Sequence, residues 1–417
     1  MFRHLVRTVA LPLSGAVLAA SSFSHNKGTA HRVPSKTDGA RVFSWGSNGF
    51  GQLGQGHEVD LSTPTPIKID RAAQSVACGG NSSAIVTTEG HVYTFGAGGS
   101  ARLGHGDAID TPNVSTPQLL EVPDLVFQKV AIGEYHMAAL TADYRLFTWG
   151  RHNSPQLGHA NVARGFPNEV AELRGNVQDI ACGRQHSVAI TTDGKLYVWG
   201  LGHEGALGHG DKANVDRPKL VAALAKESIV QAACGREYTL ALTKEGVVYA
   251  WGANDYGQLG VAGSMRYQRT PLPVTSLDGL DVVQVAAGEY HSAALTASGQ
   301  VYTWGLGKDG QLGLGTNDDR NIPRKLSELD GLHIVQVACG GGHTVCVSAD
   351  GNLWVFGRGR SGQLGRGDQL ESIAAYRNTP VQVQVCHTNT ILLYGTCIKL
   401  YIYWRQPIIC KGMKELK

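Results

Sequence analysis

The sequence repeats itself, and the repeat limits the fold more than any other feature does. A stretch at residues 302–315 reads YTWGLGKDGQLGLG. Near-copies begin at Trp45 (WGSNGFGQLG), Phe95 (FGAGGSARLG), Trp149 (WGRHNSPQLG), Trp199 (WGLGHEGALG), Trp251 (WGANDYGQLG) and Phe356 (FGRGRSGQLG), so with Trp304 there are seven. Successive aromatic-Gly pairs lie 50, 54, 50, 52, 53 and 52 residues apart. A steady period near fifty marks a chain of like units, each too small to bury its own apolar faces.

Six of the pairs are preceded by a second signature. In one unit it runs VQAACG at 230–235, LALT at 240–243, a KEG turn, then VVYAW at 247–251. The others span 76–96, 130–150, 180–200, 285–305 and 337–357. Three short runs rich in Val, Ala, Thr, Tyr and Trp, split by Gly-bearing turns, read as antiparallel hairpins. Gly suits such turns because it takes positive φ without a Cβ clash. A fourth strand is expected after each QLG loop, for example at 117–122 or 218–222. Sheets of this kind, set radially, bury both faces and hide most edges. The expected fold is all-β, a seven-bladed β-propeller occupying residues 37–385.

The two ends differ from the repeats. Residues 1–36 carry five Lys and Arg and no acid, and residues 386–417 carry a net +4; against a total of +3, residues 37–385 hold −6. An acid-free leader with Arg, Ser and His reads as a mitochondrial presequence, with a secretory signal or an unprocessed tail as rivals. Its apolar run, 9–20, is short and contains Pro12, so no transmembrane segment is expected. Residues 386–417 lose the repeat grammar and read as a divergent, truncated or mis-spliced tail. The N-terminal copy has a third strand but lacks the two that should precede it. Residues 381–393, with Cys386, His387 and Thr388 imitating the Gly-x-x-His-Thr turn, are the expected latch.

The recurring polar and sulfur residues read as structure. Cys78, Cys182, Cys234 and Cys339 share a slot with Ile132 and Ala287, which makes it a small core position and argues against zinc or disulfides. His136, His186, His291 and His343 share a slot with Ser82 and Tyr238, and are expected to bond neighbouring backbone. Three stretches starting at Gly200, Gly305 and Gly357 fit GxGxxG, but Gln-Leu-Gly or its variant follows where a dinucleotide site needs a helix. Walker A, HExxH and GxSxG motifs are missing from the sequence. No cofactor and no metal are expected, and an acidic body makes direct DNA binding unexpected, a local Arg358/Arg360/Arg366 patch aside.

The pattern V-x-x-V-A-C-G-x-x-H-[ST]-x-A-L-T-x-x-G-x-V-Y-x-W-G-x-N-x-x-G-Q-L-G-x-G, matched almost throughout by residues 285–315, resembles the repeat of the regulator of chromosome condensation family. That resemblance covers about 41–385. For the founding nuclear branch it implies guanine-nucleotide exchange on the GTPase Ran, with an acid just before the repeat His and an inserted β-wedge. Here that slot holds Asn81, Tyr135, Gln185, Glu237, Tyr290 and Gly342, and no unit has room for a wedge. Glu237 is therefore the candidate catalytic residue under an exchange reading. The plant UV-B receptor branch implies Trp clusters in Gly-Trp-Arg-His-Thr turns, which this sequence replaces with Glu-Tyr-His and Arg-Gln-His. Ubiquitin-ligase members imply a further catalytic domain, for which the length leaves no space. The mitochondrial branch, tied to fusion GTPases, the ribosome and RNA processing, matches best in leader and size.

The resulting expectation is a monomeric protein-interaction propeller in the mitochondrion, with the cytoplasm or nucleus as alternatives, a scaffold for a protein or ribonucleoprotein complex. The alternative is an exchange factor for a small or dynamin-like GTPase.

Overall fold

The computed structural model describes residues 41–106, 111–151, 155–159, 165–263, 265–367, 376–383 and 390–395. The leader and residues 386–388 lie outside them. Within the compact unit of residues 39–417 six four-stranded sheets are antiparallel and follow chain order.

Blade 3 shows how a unit is built. Its strands are Val177–Cys182, His186–Thr191, Leu196–Gly200 and Val215–Leu220, each paired with the one before. His186 faces Gly200, Cys182 faces Ser187 and Tyr197 faces Leu220. The second strand is buried along its whole length. Blades 1 (73–119), 2 (127–169), 4 (229–273), 5 (282–325) and 6 (334–383) repeat the plan. The outer strands start about three residues earlier than their sequence suggests, at Val114 and Val215.

The aromatic-Gly motif has two separate physical reasons. Its glycine ends the third strand at positive φ: 119° at Gly200 and 103° at Gly252. A Cβ on Gly252 would sit 2.4 Å from the Glu237 carbonyl oxygen, so only hydrogen fits. Its indole belongs to the joint between blades. Trp251 is fully buried and donates from Nε1 to the Ala206 carbonyl of blade 3 at 2.9 Å. Trp304 does the same to Gln258 at 2.9 Å, and Trp199 to Gln156 at 3.0 Å. Each tryptophan thereby fastens its blade to the Gln-Leu-Gly loop (Ala-Leu-Gly in blade 3) of the preceding one.

The expectation of seven blades needs correcting: among the described residues six blades are complete, not seven. The seventh sheet has three strands, in the order Leu61–Pro66, Arg41–Gly46, Thr390–Gly395. Thr390–Gly395 takes the second-strand place but runs parallel to Arg41–Gly46, with Thr390 opposite Arg41 and Gly395 opposite Gly46. Counting aromatic-Gly pairs counts third strands, and a blade also needs an inner and a second strand of the right direction. Among the described residues nothing fills the inner place of this sheet. The succession nonetheless closes. Phe43 and Trp45 share a core with Val345, Val355 and Val383 of blade 6, and Val42 shares one with Val76 and Ile85 of blade 1.

Candidate interaction face

Two kinds of polar residue converge where the first and second strands turn into each other: the recurrent histidines beneath, and a belt of charged and aromatic side chains above.

The histidines are sealed. His136, His186, His291 and His343 are buried. Three of them reach the next blade: His136 Nε2 lies 2.8 Å from Ser187 Oγ, His186 Nε2 3.1 Å from Thr239 Oγ1, and His291 Nε2 2.9 Å from Thr344 Oγ1. The hydroxyls of Ser187 and Thr344 donate onward to the carbonyls of Gln156 and Gln311, both at 2.8 Å, so each must accept from an Nε2–H. The expected backbone partners are met by Ser82, whose hydroxyl donates to the Ala97 carbonyl at 3.1 Å, and by Tyr238, whose hydroxyl donates to the His291 carbonyl at 2.5 Å. Burial drives the His136 and His291 pKa values down to about 3, and that of His343 to about 4. Enclosed and repeated, His136, His186 and His291 are struts between blades.

The belt comes from the two residues between the turn glycine and the strut. Arg184 donates to Glu134 of blade 2 at 2.6 Å and to Glu237 of blade 4 at 3.1 Å, and Arg236 pairs with Glu289 of blade 5. Backbone follows the same path, with Glu134 N–H donating to the Arg184 carbonyl, Arg184 N–H to Arg236, and Arg236 N–H to Glu289. Burial opposes the Arg184 charge, yet the hydrogen bond and charge of Glu134, and then those of Glu237, hold its pKa above the usual value. The Glu134 hydrogen bond, with burial second, raises that of Tyr135.

Aromatic rings finish both ends of the belt. Arg102 and Arg151 lie over the Tyr135 ring at 5.1 and 4.9 Å, and Arg236 lies over Tyr290 at 5.5 Å. Tyr256 meets Tyr290 edge-on at 5.1 Å. Past blade 5 the belt stops: Gly340, Gly341 and Gly342 fill the turn of blade 6, and Gly79 and Gly80 that of blade 1.

Glu237 is thus no solitary acid. Its carboxylate shares Arg184 with Glu134, and its side chain is 31% exposed. Arg358 of the suspected basic patch is held by Asp309 at 2.8 Å. Cys78, Cys182, Cys234, Cys339 and Cys346 are buried, and burial pushes the Cys339 thiol up to about 12. The stretch 200–205 ends a strand and enters a three-residue 3-10 turn, His203–Gly205. Sequence reasoning examined the slot directly before the histidine and missed the one before that, which reads Gly80, Glu134, Arg184, Arg236, Glu289, Gly341. Aligned, its alternation from acid to base and back to acid would have exposed the belt.

The model of the RCC1-like domain matches residues 112–414, and that of the Regulator of chromosome condensation (RCC1) repeat matches residues 40–86. The chain is 38% identical to human (Homo sapiens) E3 ubiquitin-protein ligase HERC2 over 85% of its own length, but spans only 8% of that protein. It is 34% identical to the Ultraviolet-B receptor UVR8 of Arabidopsis thaliana, covering 82% of this chain and 67% of the receptor. To the mitochondrial RCC1 domain-containing protein RUG3 of the same plant it is 32% identical, covering 82% and 66%. The crystal structure of Prp20p from Saccharomyces cerevisiae superposes with a TM-score of 0.70 at 20% identity, over 86% of this chain and 91% of that one. Repeat, blade plan and matches agree, and the chain belongs to the regulator of chromosome condensation (RCC1) repeat family.

Proposed function

We propose that this propeller is a non-catalytic interaction module that scaffolds a protein or ribonucleoprotein assembly, and that it works in the mitochondrion. The belt from Tyr135 to Tyr290 carries the reading. It offers arginines and tyrosines already held in place by their neighbours, the residue types that dominate binding energy at protein interfaces. Side chains fixed beforehand lose little entropy when a partner arrives. Tyr256, 38% exposed and edge-on to Tyr290, adds apolar area. The acid-free leader and the similarity to a mitochondrial relative support the compartment. Among the described residues no helix is long and apolar enough to cross a membrane.

The second reading, nucleotide exchange on a GTPase, rests on Glu237 lying partly exposed in this belt. Prp20p, which shares the fold, binds Gsp1p and histones. One experiment separates the two readings: purify the tagged chain from mitochondria with and without EDTA, then add GTP. Partners retained in all conditions, and weakened by Arg184→Ala with Arg236→Ala, support the scaffold. A GTPase held only after stripping and released by GTP, with exchange slowed by Glu237→Ala, supports the alternative and overturns the scaffold.

A further inference from the structure

The opposite end of the blades, where second and third strands meet, is divided into two unlike sectors. Each inner strand carries a bulge one residue from its start, between Val177 and Asp179, Ile229 and Gln231, Val282 and Gln284, and Ile334 and Gln336. A bulged residue leaves the ladder and is re-aimed. In blades 1 to 3 this position is Gln74, Gln128 and Gln178. In blades 4 to 6 it is Val230, Val283 and Val335, exposed by 44%, 54% and 51%, while Ile229, Val282 and Ile334 beside them are buried. Three valines at one register of three consecutive inner strands form an apolar row on a surface where glutamine evidently fits.

Charge changes at the same boundary. The turns and connectors around the valines expose Glu245, Asp278, Asp281, Glu328, Asp330 and Asp350, against Lys226 and Lys244. The matching segments of blades 1 to 3 mix Lys68, Arg71, Arg145, Arg174 and Lys195 among their acids. Between the blade 5 turn and the connector into blade 6 lies a cleft of about 270 Å³, lined in part by Ser298, Gln300, Leu329, Asp330, Leu332 and His333. It offers apolar walls for a methylene stem, and the Asp330 carboxylate, paired with Lys325 at 2.8 Å, has the acceptor capacity to take a second cationic head. Apolar row, cleft and carboxylates together fit one chemistry, and the negative field repels nucleic acid.

We infer that this sector docks a basic, apolar-bearing peptide segment of a partner protein, with its apolar side chains on the valine row and its Lys or Arg side chains against the carboxylates. The surface is separate from the Arg184 belt, so the inference stands whichever reading of the belt holds. The test is calorimetric titration of the full chain with three 14-residue peptides: alternating Lys and Leu, alternating Glu and Leu, and alternating Lys and Ser. The Lys-Leu peptide should bind at least tenfold tighter than either other, weaken with salt, and protect amides within 226–231, 278–284 and 327–336. Val230→Gln with Val283→Gln and Val335→Gln copies what blades 1 to 3 already carry, keeps the thermal midpoint, and should cost at least tenfold in affinity. Asp281→Lys with Asp330→Lys should do the same and flatten the salt dependence. Equal binding of the Lys-Ser peptide, unchanged affinity in the glutamine variant, or protection mapped to the Arg184 belt would each overturn it.

Discussion

Blade 4 and the sheet around Trp45 begin from the same motif and end differently. Both have a third strand closed by glycine and an indole buried in the neighbouring loop: Trp251 on Ala206 at 2.9 Å, Trp45 on Gln363 at 3.2 Å. Blade 4 also has an antiparallel second strand whose Tyr238 and Thr239 bond blades 5 and 3, and an inner strand whose Gln231 accepts from Val285 N–H at 2.8 Å. The Trp45 sheet has a parallel strand in that place. The motif therefore specifies a joint between blades, and the completeness of a blade is decided by other residues.

The largest test removes what the incomplete sheet does have. Ending the chain at residue 389 deletes Thr390–Gly395 and leaves Arg41–Gly46 paired on one side only. At roughly 1 kcal/mol for each of several backbone hydrogen bonds, plus an exposed edge, the loss should be on the order of 5 kcal/mol and visible in urea unfolding. An unchanged midpoint would mean that this strand does not hold the sheet in solution. Next, Trp251→Ala should destabilise by about 3–5 kcal/mol, the usual cost of emptying a large aromatic site. Trp45→Ala should cost less, because the incomplete sheet can relax around the void. Equal losses would remove the distinction between the two sheets.

Acid should act on the complete blades. His136 and His291 titrate near 3 and His343 near 4 when folded, against about 6.5 unfolded. The unfolded chain thus binds more protons between those values. Stability is full above about pH 6.5 and falls as pH drops toward 4, by roughly 2 kcal/mol per histidine at pH 5. His291→Gln should flatten the slope of stability against pH in that window, and an unaltered slope would refute the assignment. Arg184→Ala should cost no more than about 1 kcal/mol, since its pairs are partly solvated. Smallest of all is Tyr144→Gly. Tyr144 sits at φ 64° where the turns of the other five blades place glycine, so replacement should gain about 0.5–1 kcal/mol in thermal unfolding.

Much of this was legible because steric constraint writes itself into composition. Gly252 tolerates no Cβ, and Trp251 fills a site shaped for an indole, so both recur and both announce the blade. The cysteine slot read correctly as core for the same reason. The blade count misled because the repeated letters belong to third strands, while the strand beside Trp45 comes from a tail outside the repeat and runs parallel to it. The partners of the histidines were missed because hydroxyl and histidine lie about fifty residues apart, as His136 and Ser187 do. The belt is visible only across blades, since Arg184 alone looks like any surface cation.

The pairing of Arg41 with Thr390 joins positions 349 residues apart. At a synthesis rate of about 5–20 residues per second, the first strand waits roughly 17–70 s for its neighbour to be made. Blades 1 to 6 can stack in order meanwhile, each on the one before. Arg41–Gly46 keeps a bare edge throughout, open to pairing with another chain until residue 395 is in place.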